Sequence, residues 1–131
     1  GGLAVALAES CLWGGVGAEL AVGIASAPAV ELFGEGPGRV VVSVAPGDAA
    51  AVESLAAEHG LLVRRLGTTG GDRLVVRLAG EGATGAAEGR GASVADRLDA
   101  PLAVLRDAWE RGLARALGED DPVAPSADEE R

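Results

Sequence analysis

Leu32-Phe33-Gly34-Glu35-Gly36-Pro37-Gly38-Arg39 runs straight into Val40-Val41-Val42-Ser43-Val44, and the reading of this join decides the class of the fold. Upstream, Ala27-Pro28-Ala29-Val30-Glu31-Leu32-Phe33 reads as a short helix, because proline suits a first turn. Downstream, Arg39 to Val44 is a near-continuous β-branched run of the kind found in a central strand. A helix, a glycine loop and an apolar strand in succession predict mixed α/β layers around one sheet. Glycines at 34, 36 and 38 allow backbone N–H groups to approach a ligand closely, and Glu35 sets a carboxylate among them. Gly-Pro clusters mark turns more often than sites, so local composition alone favours a plain connector.

Towards the C-terminus, Pro46-Gly47-Asp48 ends that strand and offers Asp48 as a helix N-cap. Val52, Leu55 and Ala56 then fall on one face, and Gly60 closes the helix. Leu61 to Gly67 and Arg73 to Leu78 read as two strands joined through Thr68-Thr69-Gly70-Gly71-Asp72 as a hairpin turn. A glycine- and alanine-rich loop is expected from Gly80 to Gly91. The last helix begins near Asp99-Ala100-Pro101 and buries Leu102, Leu105, Trp109, Leu113 and Ala116, with Trp109 as a core anchor. Past Gly118 the acidic, proline-containing stretch is expected to be disordered. Residues 1–117 form the expected domain and 118–131 its tail.

Towards the N-terminus, Ala18-Glu19-Leu20-Ala21-Val22 is a strand, preceded by a helix from Leu3 to Trp13 that Gly14-Gly15 stops. That helix is apolar on nearly every face and needs cover on all sides. The chain is therefore expected to be a piece of something larger. The order is helix, strand, short helix, strand, helix, strand, strand, helix. Its portion from Arg39 to Leu78 resembles half of a ferredoxin-like arrangement.

A chain of 131 residues fits a single domain. It is 48% hydrophobic with one Phe, two Trp and no Tyr, so aromatic platforms for nucleobases are scarce. A net charge of −9 disfavours nucleic acid as a partner. All eleven basic residues are arginine, a pattern of coding bias more than of a recognition surface. One cysteine, Cys11, excludes an internal disulfide and reads as a small buried hydrophobe. With no signal peptide and no apolar run long enough to cross a membrane, a cytoplasmic protein is expected.

His59 is the only histidine, so neither a His-based triad nor a His cluster for a metal is available. Gly14-Gly15-Val16-Gly17 follows a helix, which is the wrong context for a phosphate cradle. Gly1-Gly2 stands directly before a helix, where free N–H groups form an anion site; the plainer reading is a tight entry turn. Arg39 could pair with Glu35 or bind a phosphate, although an arginine at a strand start is usually a solvated gatekeeper.

Several ordered motifs carry a resemblance. Gly1-Gly2-Leu3-Ala4-Val5-Ala6-Leu7-Ala8-Glu9-Ser10-Cys11, Gly14-Gly15-Val16-Gly17-Ala18, Leu32-Phe33-Gly34-Glu35 and Leu105-Arg106-Asp107-Ala108-Trp109-Glu110-Arg111-Gly112 together resemble the final domain of the phosphoribosylformylglycinamidine synthase family. The resemblance runs in order from Gly1 to about Leu117. It implies the three-layer, partly ferredoxin-like C-terminal domain of the aminoimidazole ribonucleotide synthetase superfamily, incomplete at its N-terminus because a short Asp-bearing segment normally precedes the Gly-Gly.

The resemblance further implies a place in an enzyme that converts formylglycinamide ribonucleotide to its amidine with ATP, Mg2+ and ammonia from glutamine. Partners would be the remaining synthetase domains, a glutaminase subunit and a small accessory subunit. ATP and Mg2+ would be held elsewhere, none by this segment alone. A Glu-Ser-Gln segment that meets substrate in the family falls here on Glu35, Gly36 and Pro37, and only Glu35 matches. Serines usual in the loop are replaced by Gly36 and Gly38. The implied role is structural, or that of a pseudo-site, with no catalytic residue and with Gly1, Gly2, Glu35 and Arg39 as candidate substrate or nucleotide contacts. The alternatives are a noncatalytic sensing or oligomerisation module and another ATP-dependent member of the superfamily.

Overall fold

The computed structural model describes residues 1–24, 26–80 and 97–118. Helix α1 spans Gly2–Gly14, strand β1 Ala18–Ile24, helix α2 Pro28–Phe33 and helix α3 Ala49–Glu58. Strands β2 Gly67–Thr69, β3 Arg73–Gly80 and β4 Arg97–Pro101 follow, and α4 spans Leu102–Leu117. This is the expected mixed α/β class. The sheet runs β2-β1-β3-β4, with β1 parallel to β3 and both edge strands antiparallel to their neighbours.

Alternation sets the two faces of the sheet. Leu74, Val76 and Leu78 of β3 share a face with Ala18, Leu20 and Val22 of β1, and all six are buried. Against them pack Ala4, Leu7 and Cys11 of α1 and Leu32 of α2. The opposite face carries Glu19, Arg73, Val75, Arg77, Arg97 and Asp99. There Arg77 pairs with Glu19 across β1 and β3, while Arg73 and Arg97 both reach Asp99, at 2.6 and 2.5 Å.

Local signals placed most boundaries. Gly15 ends α1 in a left-handed turn at φ 65° and Pro28 opens α2. At the end of α3 the Gly60 N–H donates to Ala57 O and the Leu61 N–H to Ala56 O, with Gly60 at φ 67°. Asp48 stands at the N-cap of α3 as expected but its side chain makes no capping bond.

Long-range pairing overturned four expectations. No strand forms over Arg39–Val44, whose valines are exposed: a β-branched run becomes a strand only beside a partner, and none of the described residues supplies one. The expected strand from Leu61 to Gly67 does not form either: β2 shares only Gly67 with it and takes Thr68 and Thr69 from the expected turn. Nor is there a hairpin, because β1 lies between β2 and β3. The Gly70-Gly71 turn instead clasps the start of β1, with the Gly17 N–H donating to Gly71 O and the Gly70 N–H to Gly17 O, both at 2.8 Å. A Cβ on Gly17 would lie 2.2 Å from Arg73 O, so the crossing requires glycine.

The third correction concerns the amphipathic faces: no residue of α3 or α4 is buried. Leu102 and Leu105 do reach the core margin, but Trp109 is 57% exposed and Leu113 more so. Trp109 is thus no core anchor. Finally, Arg97–Pro101 forms edge strand β4 where a helix start was expected, and Pro101 serves as the N-cap of α4. The expected Gly80–Gly91 loop falls outside the described residues apart from Gly80, the last residue of β3, and the acidic tail falls outside them beyond Gly118.

Candidate functional site

The start of α1 and the glycine loop after α2 meet. Gly2, Leu3, Ala6 and Ser10 of α1 form one wall of a cleft of about 310 Å3, and Gly34, Glu35, Gly36, Arg39 and Val41 form the other. The α1 residues fall on one face at helical spacing. Three of the four candidate site residues thus line one cleft, and the fourth, Gly1, adjoins it: its nitrogen is 3.6 Å from Glu35 Oε1.

Close packing at this junction depends on Gly2. Gly2 has φ 80°, a conformation that L side chains rarely adopt, and its Cβ would stand 2.6 Å from the Phe33 backbone. A Cβ on Gly1 would meet only the exposed, movable end of the Glu35 side chain. The tight entry turn and the exposed helix N-terminus are therefore one feature, since lack of side chains lets the loop approach the N–H groups of the first turn. Gly36 faces open space.

Arg39 organises the loop more than it pairs with Glu35. One Nη2 donates to Gly34 O at 3.2 Å, and Nη1 lies 3.9 Å from Glu31 Oε2. Glu31 is fixed from its other side by the Ser26 hydroxyl, which donates to Oε1 at 3.0 Å. The Ser10 hydroxyl donates to Ala6 O at 2.8 Å, a bond back along the helix that leaves its oxygen as an acceptor facing the cleft. The reading of the sequence missed Ser10, Glu31 and Val41. Ser10 could have been found, because it stands two turns beyond Gly2 on the same helical face.

The cleft sets the N–H groups at the start of α1 beside charged side chains of the loop. It holds one arginine and one carboxylate, both well exposed. Cys11, on the buried face of α1, has its thiol pKa pushed up by burial, the opposite of nucleophile activation. His59 caps the far end of α3. Among the described residues no group of three or more His, Cys, Asp or Glu could hold a metal ion. No described helix is long and apolar enough to cross a membrane.

Comparison with known proteins bears directly on this junction. A family described as AIR synthase related protein, C-terminal domain, matches residues 1–79, a span that includes both walls of the cleft and most of the sheet. The chain is 45% identical over 119 residues to a phosphoribosylformylglycinamidine synthase subunit PurL of Thermobifida fusca, covering 90% of this chain and 13% of that protein. It is 43% identical over 118 residues to the subunit of the same name from a Nocardioides species, with the same coverage. For the one from Thermomicrobium roseum the identity is 38% over 120 residues, covering 88% of this chain and 14% of the relative. The chain thus spans about one-eighth of the length of the curated relatives it matches.

Proposed function

We propose a function from one premise: the chain belongs to the family of the AIR synthase related protein, C-terminal domain. It acts as the C-terminal portion of an ATP-dependent amidine synthetase of purine biosynthesis, which converts formylglycinamide ribonucleotide to formylglycinamidine ribonucleotide. The observation that carries this reading is the 45% identity, spread over 90% of the chain, to a relative named as a subunit of that synthase. Such extent engages the sheet, both walls of the cleft and α4, not one shared motif.

Within that enzyme the segment, residues 1–117, supports the chemistry without performing it. Its cleft offers helix N–H groups, one arginine and one carboxylate, and no nucleophile beside a base. Arg39 holds the loop by its bond to Gly34 O; Gly2 allows the close approach, with Gly1 beside it; Glu35 presents a carboxylate to whatever the cleft meets. ATP and Mg2+ are bound by other domains of the intact subunit, where ATP supplies the phosphoryl group that activates the substrate amide. The partners are those domains together with a glutaminase and a small accessory subunit, all in the cytoplasm.

The test is an assay of the longer polypeptide that carries this segment. It should form the amidine from formylglycinamide ribonucleotide, dependent on ATP, Mg2+ and ammonia, while the 131-residue chain alone should bind ATP no more tightly than the millimolar range (about −4 kcal/mol). Micromolar ATP affinity in the isolated chain would contradict the supporting role. Absence of amidine formation by the longer protein would contradict the assignment itself.

A further inference from the structure

The loop from Gly34 to Arg39 forms a wall of the cleft yet does little to hold its own shape. Its backbone from Glu35 to Arg39 makes no hydrogen bond with the main chain of any described residue, and Cβ atoms added to Gly36 and Gly38 would meet open space. One side chain closes it: Arg39 Nη2 donates back to Gly34 O at 3.2 Å. Gly34 is itself fixed, because its N–H donates to Val30 O at 2.9 Å. The loop therefore begins on the backbone of α2 and ends on a guanidinium.

That guanidinium is steadied in turn by Glu31. Oε2 of Glu31 lies 3.9 Å from Arg39 Nη1, and Oε1 accepts the Ser26 hydroxyl at 3.0 Å, so each carboxylate oxygen has its own partner. Glu31 immediately precedes Leu32, the buried residue that seats α2 in the core. Its side chain is 24% exposed, against 79% for Glu35. An isolated surface ion pair contributes little, but a carboxylate already fixed by a second bond loses less side-chain entropy when it takes an arginine. A guanidinium carries five N–H donors. Those of Arg39 not turned to Gly34 or Glu31 belong to a half-exposed side chain that lines the cleft.

We infer that Glu31 is a positioning residue: held by Ser26, it fixes Arg39 so that the remaining edge of the guanidinium is set to meet the phosphate of formylglycinamide ribonucleotide in the cleft. The inference rests on the reading of the chain as part of the amidine synthetase. Glu35 does not share the role, since its carboxylate is turned to Gly1 N, at 3.6 Å. Arginine recognises phosphate through the orientation of its planar fork, and a fork ordered before binding loses less affinity to immobilisation than a mobile one. Glu31 thus acts on binding, through Arg39, and leaves the chemical step alone.

Kinetics of the longer polypeptide carrying Glu31→Gln or Ser26→Ala, each alone and with Arg39→Met, tests this. Glu31→Gln should raise KM for formylglycinamide ribonucleotide about three- to tenfold and Ser26→Ala should raise it less, with kcat within about twofold and KM for ATP unmoved. With Arg39→Met already present, neither change should add anything. An unchanged KM, a rise in KM for ATP instead, a loss concentrated in kcat, or effects that add to Arg39→Met would each overturn the inference and leave the proposed activity standing. Nitrogen-15 relaxation of the Arg39 side chain in the 131-residue chain supplies a readout independent of activity. The Nε–H order parameter should exceed about 0.6 in the wild type and fall below it in Glu31→Gln; equal values overturn the inference. A wild-type longer protein that forms no amidine defeats the proposed function, and the relaxation measurement then decides the role of Glu31 by itself.

Discussion

Gly2 and Gly36 stand at opposite walls of the same cleft and obey opposite constraints. Gly2 occupies the left-handed region with Phe33 backbone 2.6 Å from its missing Cβ, whereas Gly36 has open space on that side. Gly2→Ala should cost about 2 kcal/mol or more, since the left-handed conformation alone costs 1–2 and the clash is with backbone that cannot swing away. Gly36→Ala should stay within about 0.5 kcal/mol. Urea denaturation of the two variants checks both values. Asp99 gives a second prediction at this scale. The hydrogen bond from Arg73, aided by the charges of Arg97 and Arg77 and opposed by desolvation, holds its carboxyl below the ordinary carboxylate value. A depressed folded pKa stabilises the protein above the unfolded value, near 3.9, and that contribution is lost as pH falls through the folded pKa. The gap in melting temperature between the wild type and Asp99→Asn should therefore be widest above about pH 5 and close towards pH 2. A gap that is constant with pH would mean that the carboxylate charge is not what Arg73 and Arg97 read.

Among the elements, α4 shows how a helix is held without a buried face. Its Arg106 Nη2 donates to Leu12 O at 3.1 Å, meeting a carbonyl of the last turn of α1 that has no partner within its own helix. Asp107 is hydrogen-bonded by Arg111 and lies 2.8 Å from Arg115, so the ions on this helix mostly serve the helix itself. Arg106→Ala should lower stability by about 1 kcal/mol, and hydrogen exchange should rise first in the last turn of α1. The same elements show what the sequence could and could not reveal. Periodicity and caps located α1, α2, α3 and α4, because these signals lie within a few residues of each other. Burial depends on what stands opposite, so the stripe from Leu102 to Ala116 marked a helix correctly and its packing wrongly. Strands fared similarly: β1 and β3 were legible as apolar runs. Their parallel pairing was not, since nothing local to Thr68–Asp72 announces that Gly17 threads under that turn. β4 escaped notice because Arg97-Leu98-Asp99-Ala100-Pro101 alternates for only a few residues and ends at a proline that also suits a helix start. Of the candidate site, Gly1, Gly2, Glu35 and Arg39 stood out through glycine spacing and charge, whereas the contact of Arg39 with Glu31, itself held by Ser26, required the fold of α2.

The molecule as a whole keeps its polar and apolar surfaces in unusual places. One sheet face is ionic and open, while Trp13 is 79% exposed and valines and leucines lie uncovered on either side of α3. Apolar exposure on this scale marks contact surface. Both tryptophans should be open to iodide quenching in the isolated folded chain, and markedly protected in the longer subunit; equal quenching in the two would argue that these faces meet nothing. The central proposal is that the cleft, whose lining residues set no nucleophile beside a base, supports a reaction carried out elsewhere in the longer polypeptide. Steady-state kinetics of the intact synthetase carrying Glu35→Gln tests that claim most directly. A supporting carboxylate predicts a kcat within about tenfold of the wild type, with any change concentrated in KM, whereas a kcat loss of about 10²–10⁴, the range of a general acid or base, would place Glu35 in the chemistry and contradict the account.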